Sequence, residues 1–61
     1  MTVEILSSSE TEIVSVNGKH LLFINKPYTL RILTKIEVLG VLIGILDENG
    51  DMIGTYWVED E

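Results

Sequence analysis

Apolar residues fall along this chain in short runs rich in Val, Ile and Leu and bounded by turn residues, the pattern of β-strands. Two Asn-Gly pairs punctuate the pattern. Asn17-Gly18 separates residues 12–16 from 19–23, and Asn49-Gly50 separates residues 43–48 from 51–57. Asn and Gly are the residues that best tolerate the two positive φ angles of a type I′ turn, so each pair between apolar runs predicts a β-hairpin. A two-residue turn also fixes register. In the first hairpin it sets Val16 opposite Lys19, Val14 opposite Leu21, Glu12 opposite Phe23, Ser15 opposite His20 and Ile13 opposite Leu22. In the second it sets Leu46 opposite Ile53, Gly44 opposite Thr55, Leu42 opposite Trp57, Asp47 opposite Met52, Ile43 opposite Tyr56 and Val41 opposite Val58.

These pairs make each hairpin apolar on both faces over much of its length. A sheet with one solvated face would alternate more cleanly. The expectation is that one face is covered by the rest of the chain and the other by more protein.

Residues 2–6 form a short first strand in this reading, followed by the polar loop Ser7-Ser8-Ser9-Glu10. Pro27 cannot continue a ladder, so the strand after Asn17-Gly18 ends near Asn25-Lys26-Pro27. Residues 28–39 fit two patterns. As a strand, Tyr28, Leu30, Ile32, Thr34, Ile36 and Val38 share one face, and Thr29, Arg31, Leu33, Lys35 and Glu37 the other. As a helix, Pro27 takes the first helical position, Tyr28, Ile32, Ile36 and Leu39 line up, and Gly40 ends it. The period-2 count favours the strand, with Gly40 at a bend or bulge.

Composition agrees. Val, Ile and Thr account for 19 of 61 residues, and Ala and Gln are absent. Branched side chains lose χ1 freedom in helices and pack well on pleated surfaces. The chain is expected to be one all-β domain, a small five- or six-stranded antiparallel barrel of the kind SH3-like folds use, or a curled sheet. The alternative is α+β with a helix at 28–39. The acidic residues 59–61 read as a disordered tail.

Size sharpens this. A 61-residue chain buries only about 60% of the surface its unfolded form exposes. Small domains compensate with disulfides, metals or oligomerisation. There is no cysteine and only one histidine, yet 46% of residues are apolar, and mean hydropathy is +0.32. A homo-oligomer is therefore expected.

Ten acids against four bases give a net charge of −6. That balance opposes phosphate-backbone binding, which needs Lys and Arg to displace counterions. It also opposes anionic membranes, and it favours a basic protein partner or imitation of a polyanion. The first residues lack the basic region and small-residue cleavage site of a signal peptide. The longest uncharged apolar run, residues 38–46, is too short to span a bilayer as a helix. A cytoplasmic location is the expectation.

Chemistry-bearing residues are sparse. Asp47, Asn49 and Asp51 have the spacing of the first three ligands of an EF-hand loop. That template needs Gly and Glu where Met52 and Val58 stand, so an acidic hairpin tip explains them better. Glu48 and Asp51 flank the turn as a like-charge pair that suits a cation or a basic partner. His20 opposite Ser15 lacks a third group or an oxyanion hole and reads as a surface cross-strand contact. Two carboxylates perform glycoside chemistry only across a cleft, and these acids sit at a turn and a tail. Lys26, Arg31 and Lys35 near Tyr28 sketch a basic groove, against the overall charge. Tyr56 and Trp57 are adjacent on a strand and point to opposite faces, and both residue types are enriched at interface hot spots.

No catalytic, metal or cofactor set emerges, and the chain is not expected to be an enzyme. The candidate binding residues are Tyr28, Arg31, Tyr56, Trp57, Glu48 and Asp51. The reading is a non-enzymatic interaction module that self-associates and acts as a small acidic regulator or inhibitor of a protein. The alternatives are a binder of a small anionic ligand, with Tyr28, Arg31 and Trp57 at a subunit junction, and a nucleic-acid mimic.

Overall fold

A computed structural model describes residues 1–59 as six antiparallel strands, with no helix among the described residues. They are β1 (Val3–Ser7), β2 (Thr11–Val16), β3 (Lys19–Asn25), β4 (Thr29–Ile36), β5 (Gly40–Leu46) and β6 (Met52–Glu59). The strands form two three-stranded meanders, β1-β2-β3 and β4-β5-β6. Residues 28–39 are thus strand and turn, which overturns the helical alternative: β4 pairs with β5 from Thr29 to Ile36. Glu59 belongs to β6, so it is not part of a disordered tail, and residues 60 and 61 lie outside the described residues.

The two sheets do not close into a barrel, because β3 and β4 do not pair. The chain leaves β3 at Asn25, and the Lys26 amide donates to the Glu10 carbonyl at 2.8 Å. Pro27 has no N–H to extend a ladder. The next strand joins the second sheet.

The sheets meet across one apolar layer. Val14 and Val16 of β2 pack with Leu30 of β4, Val41 and Ile43 of β5 and Val58 of β6. Met1, Val3, Ile5, Leu22, Ile24 and Ile45 close its margins. A side-chain bond crosses between the sheets as well: the Leu30 amide donates to Glu12 Oε1 at 2.8 Å.

Both Asn-Gly pairs are hairpin turns, of two kinds. Asn17 (φ 52°) and Gly18 (φ 83°) adopt the type I′ conformation. In the second turn Gly50 (φ 84°) is left-handed and Asn49 is not. The Gly50 amide donates to the Asp47 carbonyl at 3.0 Å. The Asp47 carboxylate accepts the amides of Asn49 and Asp51 at 2.9 and 3.0 Å. This is a three-residue loop ending in a glycine bulge, so Leu46 pairs with Met52 where a two-residue turn puts Ile53. Beyond Ile53 the expected pairs hold, from Gly44 with Thr55 to Val41 with Val58.

Two further bulges correct the expected register. In β3 the extra residue is Leu21, so Val14 pairs with Leu22 and Glu12 with Ile24. Leu22 and Ile24 thereby join the core in place of Leu21 and Phe23. In β4 the extra residue is Leu33, which breaks the expected alternation: Thr34 pairs with Leu42 and Lys35 with Val41. The bend expected at Gly40 falls instead at Leu33. Gly40 is glycine because of contact: a Cβ there would fall against the Val58 carbonyl oxygen and 2.7 Å from the Trp57 ring.

Ile43 is fully buried at the centre of the layer. Replacing a buried isoleucine by alanine costs about 2–5 kcal/mol, against about 3–9 kcal/mol for a whole domain of this size. Ile43→Ala is expected to lose most of the folding free energy, read as a fall in the urea midpoint. A midpoint unchanged within error would contradict this packing.

Candidate functional site

Because each sheet offers its partner only one face, the outer faces are what another molecule meets. On the first sheet, Leu6, Ile13 and Phe23 stand in one cross-strand row. Phe23 is 70% exposed, and Leu21 at the bulge is also exposed. The neighbouring row is Glu4, Ser15 and His20. The expected Ser15–His20 pairing is present, with Ser15 buried under its neighbours.

On the second sheet the outer rows are Thr29–Leu46–Met52, Arg31–Gly44–Thr55 and Thr34–Leu42–Trp57. Arg31 and Trp57 therefore share a face, one row apart and on opposite edges. The space between them is filled: Leu33 and Met52 side chains lie 3.2 and 3.0 Å from where a Gly44 Cβ would stand. Tyr28 precedes β4 in the connection between the sheets, where its amide donates to the Asn25 carbonyl at 3.2 Å. Tyr56, in the row Ile32–Ile43–Tyr56, points to the core side but sits on the edge strand and stays 52% exposed. Trp57 is 38% exposed on the other side.

Glu48 and Asp51 are exposed at the β5–β6 tip. That tip adjoins the start of β4, since Thr29 pairs with Leu46, and Leu30 is bonded to Glu12. Glu10, Glu12, Asp47, Glu48 and Asp51 are thus gathered at one end of the molecule, with Lys26 among them. Among the described residues no group of three His, Asp or Glu side chains is placed to hold a metal ion. The Asp47 carboxylate is already engaged by turn amides. Among the described residues no helix is long and apolar enough to cross a membrane.

Two features were invisible to pattern reading. The first is the β4–β5 turn. The Leu39 amide donates to the Ile36 carbonyl at 3.1 Å, with Val38 at φ 62° between them. A left-handed conformation is an outlier for a β-branched residue, and Val38 is also 82% exposed. Its local signal, a tight link between two strands, was masked by the continuous apolar run. The second is an ion pair: the Met1 ammonium donates to Glu37 Oε2 at 2.8 Å, and Lys35 Nζ lies 3.5 Å from Glu37 Oε1. The bond from the ammonium holds the Glu37 carboxyl below its usual range, and the Lys35 charge adds to this.

Comparison with models of protein families, with curated proteins and with solved structures finds no match.

Left-handed conformation costs an L-residue about 1–2 kcal/mol. Val38→Gly is therefore expected to raise stability by about 1 kcal/mol in urea titrations; a loss of stability would mean that the Val38 side chain holds the turn. For Glu37 the sign follows from a lowered folded value: its contribution is full above the ordinary carboxylate range and fades as pH falls through the folded value. The stability difference between the parent chain and Glu37→Gln is expected to be present at pH 7 and to vanish in acid, measured by urea midpoints from pH 7 to 2.

Proposed function

We propose that this protein is a non-enzymatic interaction module, a small acidic regulator that associates with itself and offers an acidic end to a basic protein partner. One observation carries the reading: apolar side chains stand in cross-strand rows on the outward faces of both sheets, with Phe23 and Trp57 exposed among them, and Tyr56 is exposed at the core-side edge of β6. Large exposed apolar patches on a soluble chain mark interaction surfaces, and a single core layer leaves no internal place for these residues. The gathering of Glu10, Glu12, Asp47, Glu48 and Asp51 at one end, against Lys26 alone, supports the choice of a basic partner, because a mainly acidic cluster steers and selects an oppositely charged surface.

Sedimentation equilibrium from micromolar to millimolar concentration tests the first half. The expected result is a reversible rise from the mass of one chain toward twice that mass. A single-chain mass throughout, with cooperative unfolding, overturns self-association.

A further inference from the structure

Four strands lie at sheet edges, β1, β3, β4 and β6, and each presents unpaired backbone groups that invite another strand. Three of them are guarded. β1 is short, five residues, and carries Glu4. β3 begins at Lys19, is bulged at Leu21 and runs into Lys26-Pro27. β4 carries Arg31 and Lys35 and is bulged at Leu33. Charges, prolines and bulges are the devices that keep edges from pairing. β6 has no charge before Glu59 and no proline, and its one bulge, at Ile53, lies at the turn end. Residues 54–59 are left as a regular, open edge.

The side chains on this edge favour an added strand over a partner laid on one face. Tyr56 and Trp57 are exposed on opposite sides of β6, and only a strand alongside supplies neighbours to both. Gly54 adds a shape argument: a Cβ built on it meets nothing within 4 Å, so the core side of the edge has an open position two residues from Tyr56. An aromatic side chain across the strands from an edge glycine fills such a position.

We infer that β6 docks on β6 of a second copy, antiparallel about a two-fold axis at Thr55, joining two three-stranded sheets into one of six strands. This rests on the reading of the chain as a self-associating module and names the surface. The axis places Tyr56 of each copy across from Gly54 of the other, and Trp57 across from Ile53. Antiparallel pairing keeps the two Glu59 side chains apart, where a parallel pair would stack them; each instead stands across from Asp51 of the other copy, outside the strand that begins at Met52. Met52, Ile53, Tyr56 and Trp57 are each between 38% and 57% exposed. Full coverage of these side chains and the open backbone would bury about 1,000 Å² over two copies, the lower bound for a specific interface.

Cysteine cross-linking provides the test, since the chain has no cysteine of its own. Residues directly opposite in an antiparallel pair have Cα atoms about 4.5–5.5 Å apart, inside the range of about 4.4–6.8 Å a disulfide spans. Thr55→Cys is expected to form a disulfide-linked dimer under mild oxidation with diamide, and Phe23→Cys, on the other sheet, to remain largely single-chain. Thr55→Lys, which brings two ammonium groups to the axis, is expected to weaken dimerisation at least tenfold with an unchanged far-UV circular dichroism spectrum. A Thr55→Cys dimer whose introduced thiols stay free, equal cross-linking at both positions, or undiminished dimerisation of Thr55→Lys overturns the edge pairing while leaving self-association standing. A parent chain that remains single at all concentrations overturns both.

Discussion

Everything in this molecule depends on one layer of branched side chains held between two small sheets. Val14, Val16, Leu30, Val41, Ile43 and Val58 are its buried members, and no second layer backs them. A two-sheet domain needs side chains from both inner faces to fill the gap of about 10 Å between them, and here six strands supply just enough. Each strand has two faces, so using one for the core commits the other to the outside. With nearly half the residues apolar, the outside cannot be wholly polar. The exposed Phe23 and Trp57 follow from that arithmetic of faces, and Tyr56 is exposed because β6 is an edge strand.

The bonds that supplement this layer lie at its two ends. At one, the Glu12 carboxylate spans from the first sheet to the Leu30 amide. At the other, the Met1 ammonium and Lys35 converge on Glu37. The interior between is purely apolar, and no buried side-chain polar atom among the described residues lacks a partner. Such a core fixes distance between the sheets well and their relative slide less well; the end ties supply the missing direction.

The strands and the places of two turns were legible because their signals are local. Asn17-Gly18 specifies a two-residue turn, Asn49-Gly50 marks the place of a turn whose loop is three residues long, and the branched residues of 29–36 outweighed the helical spacing available to Tyr28, Ile32 and Ile36. The bulges at Leu21, Leu33 and Ile53 were not legible, because an extra residue in one strand is decided by its neighbour across the ladder. Val14 takes Leu22 as its partner only because Leu22 and Ile24 then reach the layer. The candidate site was legible in part for the same reason. The opposite facing of Tyr56 and Trp57 follows from strand geometry alone. The placement of Tyr28 in the connection between the sheets, and the filling of the space over Gly44 by Leu33 and Met52, depend on contacts between elements.

The bulge at Leu21 sets the phase of β3. With Leu21 held outside the ladder, Leu22 and Ile24 fall on the core side and Phe23 on the outer side. A ladder that took Leu21 in step would reverse this, turning Leu21 and Phe23 inward and Leu22 and Ile24 out. Deleting Leu21 has no such effect, because Leu22 then follows His20 directly and still faces Val14. The strand can therefore lose this residue and keep its inside and outside, but it cannot absorb the residue into its pairing.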